Sequence, residues 1–125
     1  MGPRESARSS RRRLRTLQHA WQFRRCYDSG RKLVANHTVI FLFSPPEPDG
    51  LRVGVVASKR VGGAIKRNRA KRLLREAARR NWEQMPPGCD CVFHVRTRMR
   101  DAEFAHVEAD LRRMMAKARA TLKVE

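Results

Sequence analysis

Residues 58–80 have the sequence SKRVGGAIKRNRAKRLLREAARR, which contains the strongest helical pattern of the chain. After the glycines at 62 and 63, apolar residues recur at the spacing of one helical face, which predicts a helix over 64–82. Since this stripe occupies one side of the helix, most of the charged residues must share the other side. The stripe consists of Ala70, Leu73, Leu74, Ala77 and Trp82.

The charge on that other side is almost entirely of one sign. Ten basic residues lie between Lys59 and Arg80, and Glu76 is the only acid among them. A solvated helix face usually mixes signs, because Glu–Lys pairs one turn apart stabilise it and like pairs destabilise it. The pattern therefore favours a phosphate-binding face over a merely solvated one.

The composition of the whole chain agrees with a polyanionic partner. Its 125 residues include 29 Lys and Arg against 12 Asp and Glu, a net charge of +17, with 41% hydrophobic residues. Such an excess opposes compaction unless a polyanion neutralises it. The sequence has no apolar run near the roughly 20 residues of a spanning helix and no apolar signal-peptide core, so we expect a cytoplasmic protein with a nucleic-acid partner rather than a membrane.

Shorter segments on both sides of the basic helix predict one domain over 14–123, preceded by a disordered basic arm over 1–13. The strand expected at 33–43 is long enough to hide an extra short strand or a bend. The order α-β-β-α-β-α predicts an α/β sandwich around one small sheet. The remaining elements are a helix at 14–29 before Gly30, a loop at 44–50, strands at 51–58 and 89–96, and a final helix at 101–123.

The first predicted helix carries two aromatic or apolar pairs on different sides. At about 100° per residue, Leu17 and Trp21 point one way, and Phe23 and Tyr27 lie together further round. One pair can fill the core while the other lines a groove. The alternative is that all four side chains pack into the core, and spacing alone does not separate the two.

The cysteines suggest a zinc site only superficially. Cys89 and Cys91 alternate on one strand, so their sulfurs share a face from which His94 points away, and a zinc knuckle would need a turn between its paired ligands. Buried reduced thiols, with Cys26 as the third, are the favoured interpretation. Paired carboxylates, a nucleophile elbow and a phosphate-binding loop are absent from the sequence, so no catalytic group on the protein is expected.

Taken together, these motifs resemble the bacterial ribonuclease P protein family over roughly residues 14–120. The family signature has a strand, a basic pair, a glycine-containing bend, and then Arg-Asn-Arg, Lys-Arg and Arg on one helix. Its first helix carries two aromatics one turn apart, then a glycine and an Ala-Asn step. The matching residues are Lys59-Arg60, Gly62-Gly63, Arg67-Asn68-Arg69, Lys71-Arg72 and Arg75, with Phe23, Tyr27, Gly30 and Ala35-Asn36 upstream.

The resemblance implies an α+β fold with a small four-stranded sheet, flanking helices and a left-handed βαβ crossover. It also implies a subunit of the enzyme that removes the 5′ leader of precursor tRNA. In this family a catalytic RNA holds the Mg²⁺ ions and performs the hydrolysis, while the protein binds that RNA and the leader. The partners implied are therefore the catalytic RNA and precursor tRNA, with neither a membrane nor a further protein required.

The site residues follow from the same resemblance. A ribosome-associated RNA-binding protein is the alternative, and a DNA-binding regulator is weaker because no helix-turn-helix spacing occurs. Of the strand aromatics Phe41 and Phe43, one is expected to face the leader, and the sequence does not choose between them. The expected RNA-binding residues are Lys59, Arg60, Lys66, Arg67, Asn68, Arg69, Lys71, Arg72 and Arg75, and the expected leader-binding residues are Phe23, Tyr27 and Arg60.

Overall fold

The computed structural model describes residues 15–46 and 50–123. The basic arm expected at 1–13 and the centre of the loop at 44–50 lie outside these ranges. The helices are α1 (Ala20–Ser29), α2 (Ala64–Arg80) and α3 (Phe104–Lys123), and short 3-10 turns occupy Lys59–Val61, Trp82–Gln84 and Thr97–Asp101. The strands are β1 (Arg15–Thr16), β2 (Arg31–Val34), β3 (Thr38–Phe43), β4 (Arg52–Val56) and β5 (Asp90–Val95).

The described residues form one mixed sheet with the strand order β1-β4-β5-β3-β2. β4 pairs in parallel with β1 and with β5, whereas β3 runs antiparallel to both β5 and β2. α2 connects the parallel neighbours β4 and β5. The predicted α+β sandwich is confirmed, but the predicted strand number of four is wrong, since the described part of the chain contains five strands.

The two faces of the sheet are covered by different helices. α2 and α3 pack on one face, where the alternate strand residues Ile40, Val53 and Phe93 join Leu74 and Met115 in the main core. α1 crosses the other face above a smaller cluster that contains Leu17, Cys26 and Val92. The sheet is therefore the middle of three layers, and the face under α1 is the less extensively covered one.

The core face of α2 agrees with the predicted stripe. Ala70, Leu74 and Ala77 are buried, as is Ala78, while Leu73 is half-buried. The helix ends at Arg80 rather than at residue 82, and the side chain of Trp82 lies outside the described part. In α3 the expected core positions Val107, Leu111, Met114 and Met115 are likewise buried.

The prediction of a helix over 14–29 is wrong at its beginning. Arg15 and Thr16 pair with β4, and the amide of Leu17 donates to the carbonyl of Val53 at 3.1 Å. The helix begins at Ala20, where the Gln22 side-chain oxygen accepts from the amides of Gln18 at 2.9 Å and His19 at 3.0 Å. These bonds satisfy amides that have no intrahelical partner, so the helix begins there and not earlier.

The single strand expected at 33–43 is two strands joined by a tight turn at 35–37. The buried carboxylate of Asp110 on α3 accepts from the amides of Asn36 at 3.3 Å and His37 at 3.0 Å. The Ala35 amide also donates to the Thr38 carbonyl at 2.8 Å. The extra short strand that the length of this segment allowed is therefore present. Because the carboxylate that holds the turn comes from a helix more than 70 residues away in sequence, the position of the turn could not be predicted locally.

Candidate RNA-binding surface

The basic residues on α2 and in the turn before it, apart from Arg69, fall into two groups according to their contacts. Lys66, Arg79 and Arg80 form ion pairs with Asp101, Glu76 and Glu108 respectively. Within the described ranges, the second group has no ion-pair partner and keeps its charge available to a ligand. That group consists of Lys59, Arg60, Arg67, Lys71, Arg72 and Arg75.

The exposed side of α2 is shallowly concave. Asn68 lies beside Lys71, Arg72 and Arg75 around a depression of about 420 Å³, and Glu76 and Arg79 complete its wall. Three of the predicted basic residues, Lys71, Arg72 and Arg75, thus share one surface with the predicted Asn68. A depression with this lining offers several donors to neighbouring phosphates along an RNA backbone.

Two arginines of the Arg-Asn-Arg motif are less free than the sequence suggested. The guanidinium of Arg69 donates to the carbonyls of Arg100 at 3.3 Å and Ala102 at 3.0 Å, which ties α2 to the segment before α3. Arg67 is half-buried, and its Nε has no partner among the described residues. Arg69 therefore has a structural task in addition to any phosphate contact.

The basic pair Lys59-Arg60 lies at one end of the sheet. Ser58 Oγ accepts from the Arg60 amide at 3.3 Å, and Arg100 donates from Nε to the Val61 carbonyl at 2.8 Å and from Nη2 to the Arg60 carbonyl at 3.0 Å. Arg100, which the sequence did not single out, therefore holds the backbone of this turn. The side chains of Lys59 and Arg60 remain exposed.

The face of the sheet beneath α1 consists of three rows across strands β4, β5 and β3. The rows are Arg52–Asp90–Phe43, Gly54–Val92–Phe41 and Val56–His94–Val39. α1 covers the first two rows, since Arg25 reaches Asp90 and Phe23 lies against Gly54. The third row is only half-buried. It lies at the end of β4 from which the chain continues to Lys59 and Arg60.

Five partly exposed side chains cluster between α1 and this third row, and this surface, here called the aromatic groove, consists of Phe23, Tyr27, Phe41, Val56 and His94. A Cβ atom on Gly54 would lie 2.5 Å from the Phe23 ring, so only glycine lets Phe23 pack this closely to the strand. Phe23 is consequently half-buried, whereas Tyr27 is 39% exposed. The two predicted aromatics share one flank of α1 but differ in exposure.

Three rings in the aromatic groove contact one another edge to face. The Tyr27 ring centroid lies 5.0 Å from that of Phe41 and 5.2 Å from that of His94, and Tyr27 Oη lies 2.7 Å from His94 Nε2. Partial burial lowers the pKa of His94 and raises the pKa of Tyr27. Both groups are therefore neutral near pH 7, and the cluster is an uncharged aromatic surface beside a basic turn.

The remaining aromatic of α1, Trp21, does not lie where the helical pattern placed it, and the two aromatics of β3 differ in their surroundings. Trp21, expected to share a side with Leu17, is 52% exposed, and the buried residues of α1 are Gln22 and Cys26. Leu17 precedes the helix, so it does not share the helical phase of Trp21. Phe43 lies beneath the Arg25 guanidinium, 4.7 Å from it, whereas Phe41 lines the aromatic groove.

The buried acid Asp90, which was not among the predicted site residues, anchors α1 to the sheet. Asp90 is fully buried, and its carboxylate accepts from Arg52 Nε at 2.8 Å, from Arg52 Nη2 at 3.2 Å and from Arg25 Nη2 at 3.2 Å. A carboxylate inside the apolar strand sequence CDCVF was the available signal, because a buried charge needs a partner.

The three cysteines are buried free thiols, as predicted. Cys89 and Cys91 belong to the main core, while His94 lies on the opposite face of the sheet. Among the described residues, no three His, Cys, Asp or Glu side chains are placed to hold a metal ion.

Burial also makes a prediction about thiol reactivity. Desolvation, with a smaller contribution from Asp90, raises the pKa of Cys26 to about 11, and burial raises the pKa of Cys89 and Cys91 as well. At pH 8 the thiolate of Cys26 should be roughly 100-fold scarcer than for a thiol with the ordinary value of 9.0. We expect iodoacetamide to label the folded protein far more slowly than the protein in concentrated urea. Equal rates in mass-spectrometric time courses would contradict the burial of these thiols.

The domain combines a basic helix, whose cations have few internal partners, with a partly exposed aromatic surface. This combination is typical of small nucleic-acid-binding proteins. None of the described helices is long and apolar enough to cross a membrane. The sequence model of the family Ribonuclease P matches residues 11–119, and the chain belongs to the ribonuclease P protein family.

Curated relatives and solved structures agree with this assignment. The chain is 36% identical over 104 residues to the ribonuclease P protein component of Clostridioides difficile strain 630, covering 82% of this chain and 90% of the relative. It is 37% identical over 108 residues to that of Chloroflexus aurantiacus, covering 86% and 79%. The RNase P protein from Thermotoga maritima superimposes with a TM-score of 0.74 at 27% identity, covering 84% of this chain and 97% of that one.

Proposed function

We propose that this chain is the protein subunit of a ribonuclease P, the ribonucleoprotein that matures the 5′ end of tRNA. The observation that carries the proposal is the set of free cations on and before α2 in a member of this family. Polyanion binding by such a face depends on phosphates rather than on base sequence, as expected for a helix that docks on a folded RNA.

The two surfaces support a division of tasks. In this proposal α2 and the turn before it bind the catalytic RNA. The residues that make this contact are Lys59, Arg60, Arg67, Asn68, Lys71, Arg72 and Arg75. Lys66 and Arg69 contribute less, because Lys66 pairs with Asp101 and Arg69 donates to backbone carbonyls. The aromatic groove receives the single-stranded leader of precursor tRNA through Tyr27, Phe23 and Phe41, and Arg60 supplies the neighbouring positive charge. Phe41 is assigned here in preference to Phe43, because Arg25 covers Phe43.

The catalytic step is assigned to the RNA subunit together with its Mg²⁺ ions. In the part of the chain that the structure describes, no three His, Cys, Asp or Glu side chains are placed to hold a metal ion. The titratable side chains of the aromatic groove are the neutral His94 and Tyr27, which are hydrogen-bonded to each other. The protein's own part is to bind, orient and neutralise two RNA molecules. Neither a membrane nor a further protein is required, and the cytoplasm, where precursor tRNA is made, is the proposed location.

Cleavage of labelled precursor tRNA tests this function. The purified protein is incubated with Mg²⁺ and precursor tRNA, with and without a bacterial ribonuclease P RNA. We expect removal of the leader only when the RNA is present, and at lower Mg²⁺ when the protein is added. Cleavage by the protein alone, or no effect of the protein on the RNA's reaction, would reject the proposal.

The aromatic groove makes a separate prediction. Tyr27→Ala or Phe41→Ala should weaken the binding of precursor tRNA to the reconstituted holoenzyme by about 1–3 kcal/mol, the usual loss for one stacked base. Mature tRNA lacks the leader, so its affinity should not change. Dissociation constants for both tRNA forms provide the measurement.

Phe104→Ala is the matched control for that experiment. Phe104, like Phe41, is a half-buried phenylalanine, but it lies on α3, on the other side of the sheet, where it packs against Arg80. It should leave the difference between precursor and mature tRNA unchanged. If Tyr27→Ala and Phe41→Ala weaken both tRNA forms equally, these rings support the fold rather than the leader.

A further inference from the structure

The flank of α1 that faces away from the aromatic groove carries a second ring system, which the proposed function does not use. The guanidinium carbon of Arg25 lies 4.9 Å from the ring centroid of Trp21 and 4.7 Å from that of Phe43. Trp21 and Arg25 are one helical turn apart, and the buried residues Gln22 and Cys26 separate them from Phe23 and Tyr27. The two flanks of the helix are thus distinct surfaces.

The tryptophan in this stack is held in place from beneath. Arg25 is fixed by Asp90, which is fully buried and 3.2 Å away, so the cation under the indole has a defined position. The His19 ring lies nearly parallel to the indole, with an interplanar angle of 9° and 6.2 Å between centroids. Yet 52% of Trp21 is exposed. The result is an oriented indole that packs against Arg25 and His19 and still has about half of its surface in contact with solvent.

The charged residues around Trp21 indicate what kind of molecule the exposed part of its indole binds. α1 carries Arg24 and Arg25 against the single acid Asp28, in a chain with a net charge of +17. An exposed ring among cations suits a ligand that is both anionic and planar, and an unpaired nucleotide has both properties.

We propose that Trp21 stacks on an unpaired nucleobase of RNA and so forms a second base-binding site on the opposite flank of α1 from the aromatic groove. This inference rests on the proposed function, because it requires that the chain bind RNA. The base comes either from the catalytic RNA or from the precursor tRNA leader, and both present the same chemistry. The site would let α1 contact RNA on both of its sides.

Fluorescence of Trp21 tests the proposal and identifies the source of the base. The chain has two tryptophans, so Trp82→Phe leaves Trp21 as the only tryptophan, whose emission is excited selectively at wavelengths that Tyr27 does not absorb. This protein is titrated with a bacterial ribonuclease P RNA, and the resulting holoenzyme is then titrated with precursor or mature tRNA. Quenched emission and reduced accessibility to acrylamide are expected at one of the two titration steps. A change when the ribonuclease P RNA is added identifies that RNA as the source of the base. A change when precursor tRNA but not mature tRNA is added identifies the leader. RNA binding without either change overturns the site alone, whereas absence of RNA binding overturns the proposed function as well.

Two substitutions separate stacking from simple coverage of Arg25. Trp21→Phe keeps an aromatic face, whereas Trp21→Leu keeps only an apolar cover. We expect Trp21→Leu to lower the affinity for the quenching RNA roughly 5- to 150-fold, and Trp21→Phe to retain most of it. Both should keep a melting temperature close to that of the parent. If Trp21→Leu binds RNA as tightly as the parent, the side chain is only a cover and the proposal is wrong.

Discussion

Replacing Lys71, Arg72 and Arg75 together by glutamine should reduce binding to the ribonuclease P RNA more than any other surface change in this protein. These side chains line the depression on α2 and have no ion-pair partner within the described ranges, so their charge is available to phosphates. Each lost phosphate contact should lower the slope of log affinity against log salt concentration by roughly 0.7–0.9, which gives a total decrease of about 2 to 3. Filter binding over a range of salt concentrations measures both the affinity and the slope.

The matched control uses basic residues of the same helix whose charge is already neutralised. Arg79 and Arg80 pair with Glu76 and Glu108, so Arg79→Gln with Arg80→Gln should change the slope much less. The chosen triple variant omits Arg69, because losing its bonds to the Arg100 and Ala102 carbonyls would disturb the fold. If both variants reduced the slope equally, net charge rather than a defined face would account for the binding.

Asp90→Ala should be among the most destabilising single substitutions in this domain. The carboxylate is fully buried and accepts from both Arg25 and Arg52, so its removal leaves two partly buried cations without a counter-charge. Removing one partner of a buried ion pair typically costs about 3–5 kcal/mol. Urea unfolding followed by circular dichroism gives the free energy of unfolding for the comparison.

Asp101→Ala is the appropriate control, because it removes an aspartate that also pairs with a cation, but on the surface. Asp101 is 83% exposed and lies 3.7 Å from Lys66, and such exposed pairs contribute about 1 kcal/mol or less. A loss of stability for Asp90→Ala no greater than that for Asp101→Ala would show that the Asp90 cluster does not anchor α1 to the sheet.

Most of the basic surface was predictable from the sequence because its signals are local. A helix determines which residues share a face from spacing alone, and a strand does so by alternation. The stripe of α2 and the opposite faces of Cys91 and His94 on β5 therefore followed directly. That Glu76 is the only acid among the basic residues from Lys59 to Arg80 is likewise visible without coordinates. The aromatic pair Phe23 and Tyr27 was placed on one flank by the same reasoning.

The features that were missed depend on contacts between residues distant in sequence. The turn at 35–37 is held by Asp110, and the Asp90 cluster joins residues 38 and 65 positions apart. The engagement of Arg69 depends on carbonyls about 30 residues away. A periodic pattern reports which side a residue faces, but it carries no information on which distant group it will meet.

The charge, the basic helix, the alternation of the strands and the resemblance to the ribonuclease P protein family could all be predicted from the sequence. Three further features depend on the tertiary structure. They are the first residue of α1, the position of the turn within the expected single strand, and the aromatic side chains that stay in contact with water. Trp21 shows the reason most clearly. Its exposure depends on how α1 crosses the sheet, and that crossing is set by the buried Arg25–Asp90 contact and by the packing of Phe23 on Gly54.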